Sequence, residues 1–303
     1  MSILALDGDS LVYKACGIAE KTVYDILPLD KEELAEDYED YKPYIIETFR
    51  YVADYQKWLK ENGKKKEDFL RKPRIELQPL AYALQIVGSM LGEIINAVGM
   101  EQVVIFIGGD NNFREAEAVM KGYKETRKKK PKPQYYKQCR EYMVRSWNAI
   151  MVDGEEADDA VAQLYTSCML DDQFCVIATI DKDLNTVQGW KYNYDTKAFH
   201  YTTVWEASYT FYKQLLMGDR NDDIAGVPGI GVKTAEKILA SLNSEEEMYR
   251  AALEQYQKAF KVEETTHNKK FVDKVGEKIL RENANLLHMR RYKGEIWVPP
   301  VQA

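Results

Sequence analysis

Histidine is scarce in this chain, with only His200, His267 and His288 among 303 residues and none of them in a motif. Cysteine is nearly as rare. Cys16, Cys139, Cys168 and Cys175 show neither disulfide-framework density nor Cys-x-x-Cys metal spacing, so they read as reduced thiols of a cytoplasmic protein, with Cys168 and Cys175 in packing roles. Long apolar runs are missing too: none approaches the roughly 18 residues that span a bilayer, and no membrane association is expected. The start, Ser2-Ile-Leu-Ala-Leu-Asp-Gly-Asp, has neither a basic leader nor a small-residue cleavage site and reads as a strand rather than a signal peptide. A net charge of −7 argues against indiscriminate polyanion binding by the whole surface. What remains, 45% hydrophobic and 30% charged residues, suits a soluble globular chain with a real core, as one large domain or a core with a smaller companion.

What the chain does have is carboxylates where apolar runs end. Glu156-Ala157-Asp158-Asp159 sets three of them in four residues, between an apolar run (149–152) and a helix-like run (160–170). Packed near further acids, such charges are costly to keep ionised unless hard cations compensate them. The further acids are Asp7 after residues 3–6, Asp110 after 103–107, Asp181 and Asp183 after 176–180, and then Asp219 and Asp222. A helix dipole favours any one acid at a helix start, but it does not account for so many at once. An all-carboxylate set without histidine calls for Mg²⁺ or Mn²⁺, which makes phosphate chemistry the first expectation. Asp9 reads equally well as a ligand or as a helix cap.

Residues 3–6 and 103–107 are continuous apolar runs, the mark of strands buried on both faces. Between them Leu80–Val98 has apolar residues at 80, 84, 87, 91, 94, 95 and 98, a core-facing helical stripe. A parallel strand pair with a right-handed crossover follows. Sites in open α/β sheets form at the carboxyl edge, where Asp7 and Asp110 would then stand side by side. Residues 23–78 open acidic and turn basic after Lys57. Their aromatics (Tyr38, Tyr41, Tyr44, Phe49, Tyr51, Tyr55, Trp58) recur at roughly helical spacing, which predicts one or two amphipathic helices packed on the core, with a substrate-facing lid as the alternative. A small hairpin is expected over 190–193 and 199–203, turning at Asp195-Thr-Lys, with helices over 206–217 and within 245–292.

Positive charge is concentrated rather than spread. Between residues 120 and 140 stand Lys121, Lys124, Arg127, Lys128, Lys129, Lys130, Lys132, Lys137 and Arg140 against the single acid Glu125. Tyr123, Tyr135, Tyr136 and Tyr142 are interleaved, and Lys-Pro-Lys-Pro at 130–133 breaks any helix into two pieces. Such a stretch either tracks a nucleic-acid backbone while stacking on bases, or is a solvated helix pair. Its position between carboxylate candidates favours the first. Downstream, Gly226-Val-Pro-Gly-Ile-Gly-Val-Lys-Thr-Ala is a glycine turn opening onto a helix. Gly229 and Gly231 let backbone N–H groups approach a phosphate, and Lys233 adds charge with Thr234 beside it. The full string points to a helix–hairpin–helix, a sequence-independent binder of duplex backbone.

Taken together these residues resemble the structure-specific 5′-nuclease superfamily of flap endonucleases and phage 5′→3′ exonucleases, and most of all its podoviral gene-six-type branch. The marks are Asp-Gly-Asp at the first strand, Arg114 after the second-strand aspartate, Tyr-Lys-x-x-Arg at 123–127, Glu-Ala-Asp-Asp, Asp-x-Asp and the glycine turn. They run in order over nearly the whole chain apart from 23–78. The resemblance implies an α/β PIN-like nuclease core with a mostly parallel central sheet flanked by helices. It implies a core over 1–212, with a helical insertion at 23–78 and a basic helical arch at 111–148, and a helix–hairpin–helix DNA-binding region over 213–303. It further implies two Mg²⁺ ions, one group of ligands being Asp7, Asp110, Glu156, Asp158 and Asp159 and the other Asp181, Asp183, Asp219 and Asp222. Lys124 takes the place of the family's catalytic lysine, working with Asp158 and Asp181. Tyr123 becomes a base-stacking neighbour, and Arg114 and Arg127 phosphate contacts, within a basic arch that includes Lys128, Lys129 and Lys130. K⁺ would be held by backbone carbonyls of the glycine turn. The implied activity is metal-dependent hydrolysis at the 5′ end of duplex DNA, 5′ flaps or RNA–DNA hybrids by a monomer. Two features depart from the pattern: Ile107-Gly-Gly-Asp110 stands where Phe-Asp-Gly is usual, and 23–78 is longer than the branch carries. Two rivals use parts of the same sequence. Leu4-Ala-Leu-Asp-Gly-Asp-Ser imitates the Asp-x-Asp nucleophile motif of haloacid-dehalogenase-type phosphatases, and a non-catalytic helix–hairpin–helix protein would bind DNA without cutting it.

Overall fold

The computed structural model describes residues 1–260 and 269–300, with side chains outside 269–274. Residues 261–268 and 301–303, part of the expected C-terminal region, lie outside the described residues. The chain divides into two compact units, one of residues 1–12, 89–132 and 140–303, the other of 13–88 with 133–139.

The first unit is built on a six-stranded sheet in the spatial order Ile150–Gly154, Gln102–Asn112, Ser2–Asp7, Phe174–Ala178, Gly189–Asn193, Ala198–Thr202. All neighbours are parallel except the last pair, the expected hairpin. Ser2–Asp7 is central because it can be: Leu4, Ala5 and Leu6 are fully buried, and each leucine so placed contributes about 1.5–3 kcal/mol. On one face Ile3, Ala5 and Ile177 pack against Val161, Ala162 and Tyr165 of the helix Ala157–Leu170. That packing brings the start of this helix to the carboxyl edge of the sheet, beside the ends of the strands that finish at Asp7 and Ala178.

The C-terminal helices Val204–Met217, Val232–Leu239, Glu245–Ala259 and Lys269–Leu287 close around a second core containing Tyr212, Leu215, Leu239, Met248, Tyr256 and Leu280. The Tyr256 hydroxyl donates to the Leu215 carbonyl (2.7 Å), and the Asn283 amide donates to the Ala225 carbonyl (2.6 Å). After Val204–Met217 the chain folds back as two short antiparallel pieces, Gly218–Asp219 and Ile224–Ala225. Gly218 (φ +73°) and Gly226 make this possible. A Cβ on either would come within 2.3 Å of the other's backbone nitrogen, so the turn carrying Asp219 and Asp222 depends on both glycines.

Residues 23–78 correct the helical expectation. The second unit contains a three-stranded antiparallel sheet, with Glu20–Pro28 between Glu47–Phe49 and Phe69–Leu77 and a helix at Val52–Glu61. Glu20–Pro28 pairs with Phe69–Leu77 over nine residues. Pro73 is tolerated because its strand is at the edge. The aromatics are not one helical stripe: Phe49, Tyr55, Trp58 and Phe69 cluster between strand and helix, while Tyr41 belongs to a different cluster with Leu27 and Ala35. Buried Asp25 accepts from Arg74 Nε (2.7 Å) and Nη2 (3.1 Å) and from the Thr48 hydroxyl (2.7 Å).

Leu80–Val98 is, by length and composition, long and apolar enough to cross a bilayer, which the absence of long apolar runs did not anticipate. Its buried residues Ala83, Val87, Leu91, Ile94 and Val98 recur at helical spacing on one stripe, the pattern of a helix packed on a core.

Candidate active site

Three elements bring carboxylates to the carboxyl edge of the sheet. Asp7 ends the central strand, Asp181 follows the neighbouring strand Phe174–Ala178 by three residues, and Asp158 lies in the first turn of Ala157–Leu170. Burial, then the charges of Asp7, Asp181 and Glu156, push the Asp158 carboxyl well above the usual carboxylate range. Asp7 is pushed up to about 7 by burial, then by Asp9 and Asp181, against the pull of a hydrogen bond from Ser10. Asp183 is pushed up to about 6 by burial and Asp181, against donation from Gln214. The protein thus gathers more negative charge here than it compensates.

A few residues away the balance reverses. Lys124, at a left-handed φ of 56°, places Nζ 2.5 Å from Glu156 Oε1 and 3.6 Å from Asp222. Burial alone would raise Glu156, but the charges of Lys124 and Arg114 outweigh it and hold its pKa at about 2. Asp219 accepts from the Asn221 amide (2.7 Å), Gln214 (3.2 Å) and Lys182 (3.3 Å). Every candidate metal ligand in the set is a carboxylate. Among the described residues, however, no three of these side chains are gathered tightly enough to hold a metal ion as placed. Several are turned to partners within the chain: Asp7 Oδ1 accepts from the amides of Asp9 and Ser10, and Asp181 Oδ1 from that of Asp183.

Four expected site residues are placed elsewhere or otherwise engaged. Asp110 is exposed and stands apart: Asp7 pairs with Phe106, so Asp110 is four residues, about 13 Å of strand, farther along, past an irregularity in the pairing with Ile150–Gly154. Asp159 is fully buried, in a two-pronged pair with Arg114 (2.5 and 2.9 Å). Arg114, expected on a phosphate, is 0% exposed and also donates to the carbonyls of Leu286 and His288. Tyr123, expected to stack on a base, is 3% exposed, and its hydroxyl donates to Glu156 (3.0 Å) and Asp222 (3.1 Å). The structure brings together Asp7, Glu156, Asp158, Asp181, Asp183, Asp219, Asp222 and Lys124.

It also shows what Asp9, open in the sequence between ligand and cap, is engaged with, and it adds Gln214, which the sequence does not single out. Asp9 takes the Gly108 amide (2.8 Å) and pairs with Arg140 (3.3 Å), while Asp7 serves the amides at the start of the following helix. Gln214 bridges Asp183 (2.7 Å) and Asp219. Nothing in its local sequence marks it. Lys182 was visible as the middle of Asp-Lys-Asp. Arg127, Lys128, Lys129 and Lys130 are exposed, Lys128 pairing with Glu115 (2.7 Å). Gly229 (φ +80°) turns the chain into the helix Val232–Leu239, leaving Gly231, Lys233 and Thr234 exposed at its start.

The raised carboxyls have a measurable consequence. A group that holds its proton more tightly folded than unfolded stabilises the fold while protonated, and that contribution is lost as pH rises. For Asp7 and Asp183 the window runs from the ordinary value of 3.8 up to about 7 and about 6. In EDTA, the melting temperature is expected to lose their contribution between pH 4 and 7. Added Mg²⁺ or Mn²⁺ should raise it strongly at pH 8 and little at pH 5, where protons compete. Equal shifts at both pH values in a thermal melt would show that these carboxylates do not meet the cation.

No family model matches the chain. Over 116 residues, 35% of this chain, it is 34% identical to DNA polymerase I of Pseudomonas aeruginosa, the matched stretch being 12% of that polymerase. A crystal structure of a bacteriophage T5 protein co-crystallised with metal ions superimposes on 95% of this chain and 89% of its own, at 14% identity and a TM-score of 0.51. The T5 flap endonuclease, in a pseudo-enzyme–product complex with DNA and metal ions, does so over the same shares at 13% identity and 0.54. The chain shares the fold of these two phage T5 structures.

Proposed function

We propose that this protein is a divalent-cation-dependent nuclease that hydrolyses phosphodiesters at the 5′ end of duplex DNA, with 5′ flaps and RNA–DNA hybrids as further substrates. The observation that carries the reading is the convergence of Asp7, Asp158 and Asp181 from three elements onto one sheet edge, with more negative charge than the chain neutralises. An oxygen-only donor set of this kind fits Mg²⁺ or Mn²⁺. Asp7, Glu156 and Asp158 would hold one ion, and Asp181, Asp183, Asp219 and Asp222 the other. Bound there, the ions supply Lewis acidity toward phosphate oxygens and lower the pKa of a bound water.

The chain's own contribution is charge placement and grip. Lys124 is kept protonated by Glu156 and Asp222, which outweigh its burial, and it meets the scissile phosphate as a fixed positive charge. Arg127, Lys128, Lys129 and Lys130 offer the exposed basic surface for the 5′ strand. The turn at Gly229–Thr234 offers backbone N–H groups to the duplex, with K⁺ at its carbonyls.

Incubating 5′- and 3′-labelled duplex, 5′-flap and RNA–DNA hybrid with Mg²⁺ or EDTA tests the reading. Short products released from the 5′ end, only with Mg²⁺, are expected. Products released from the 3′ end, or turnover in EDTA, would overturn it. Lys124→Ala should lower the cleavage rate about 10²–10³-fold, the scale of one preorganised electrostatic contact, with duplex affinity nearly unchanged. A loss of affinity that accounts for the whole effect would make Lys124 a binding residue only.

A further inference from the structure

The Tyr194 hydroxyl is buried without a hydrogen-bond partner among the described residues. Tyr194 follows the strand Gly189–Asn193, whose neighbour Phe174–Ala178 leads to Asp181, so it comes to the sheet edge that carries the carboxylates. The residue is 7% exposed, and its hydroxyl is one of few buried polar atoms among the described residues that make no hydrogen bond. After burial, the largest influences on it are the charges of Asp7, Asp195, Asp181 and Asp158. Burial and those charges keep the phenol protonated, so it is a donor. A buried donor left unmet costs about 1–3 kcal/mol, and phenylalanine would fill the same space without that cost. The hydroxyl therefore points to an acceptor lying among the carboxylates, beyond direct hydrogen-bond reach of any of them. One water spans such a gap, and this one would have the two to four polar partners a buried water needs.

We infer that Tyr194 is a positioning residue of the carboxylate site: its O–H donates to a water lodged among Asp7, Asp158 and Asp181 and fixes how those carboxylates face an incoming divalent cation. This rests on the nuclease reading above. The test is Tyr194→Phe in the full chain, with Mn²⁺ binding measured by calorimetry without DNA and melting measured in EDTA. The variant should melt at or above the wild-type temperature in EDTA, while its Mn²⁺ dissociation constant rises about tenfold, as when an outer hydrogen bond to a ligand is removed. A merely structural tyrosine would give the opposite pair, a lower melting temperature with unchanged Mn²⁺ affinity, and that result overturns the inference alone. If the wild-type protein itself binds no Mn²⁺, the nuclease reading falls and this inference falls with it.

Discussion

Asp158→Asn should abolish cleavage and at the same time make the cation-free protein harder to melt. The two effects have one cause. Asp158 is half-buried among Asp7, Asp181 and Glu156, and its carboxyl is held well above the usual range. Ionising it in the folded protein therefore works against the fold, and asparagine keeps the shape without the charge. Because the folded carboxyl binds its proton more tightly than the unfolded one, its destabilising effect grows as pH rises through the folded value. The gain in melting temperature should be clear at pH 8 in EDTA and small near pH 4, with each kcal/mol relieved worth about 2–4 °C in a protein of roughly this size. Losing the charge also removes the group best placed to face a cation together with both Asp7 and Asp181, so the cleavage rate should fall by about 10²–10³-fold or more. Asp181→Asn should lose cleavage in the same way. Duplex affinity, which the proposed reading places on Arg127–Lys130 and the turn at Gly229–Thr234, should change little in either variant. Retained Mg²⁺-dependent cleavage in both would sink the assignment of the carboxylates, and an Asp158→Asn protein that melts lower at pH 8 would sink the electrostatic account.

That the same four-residue string holds both Asp158 and Asp159 shows where sequence reasoning reached and where it stopped. Strand ends were legible, because a continuous apolar run followed by an acid has few other meanings. Asp7 and Asp181 stand where that pattern put them. Direction around a helix was less legible. Successive residues differ by about 100°, so Asp158 and Asp159 at the start of one helix cannot face the same point. One turns to the carboxylates and the other to Arg114, which lies 45 residues away in sequence. Asp110 failed for a related reason: the run at 103–107 predicted its strand but not its register, and pairing of Asp7 with Phe106 carries Asp110 past the cluster. Tyr123 looked like an exposed aromatic among lysines, but it packs with the C-terminal helical core. In 23–78 aromatic spacing imitated a helix, whereas strand pairing between Glu20–Pro28 and Phe69–Leu77 is a long-range property that no local period reveals.

Arg114 is where a structural role and a DNA-contact role give opposite results. Arg114→Ala should lower the melting temperature by about 10 °C. The guanidinium is fully buried, meets both oxygens of Asp159 and donates to the carbonyls of Leu286 and His288, so it ties the helix Phe113–Glu117 to the helix Ala157–Leu170 and to the end of Lys269–Leu287. Removing one partner of such a pair leaves an uncompensated buried charge, a loss of about 3–5 kcal/mol. Asp159 would then keep only the amides of Glu156 and Arg290. The double variant Arg114→Met with Asp159→Leu removes both charges and should recover much of the loss. It should not recover all of it, because two carbonyls and two amides lose their partners. A phosphate contact predicts something else: unchanged stability in Arg114→Ala, with the salt dependence of duplex binding shallower by about one counterion. Thermal melts of the two singles and the double, set beside duplex affinity at several salt concentrations, separate the two. A destabilised single, a rescued double and an unaltered salt slope would make Arg114 and Asp159 the buried tie behind the site, leaving Asp7, Asp158 and Asp181 to meet the cation.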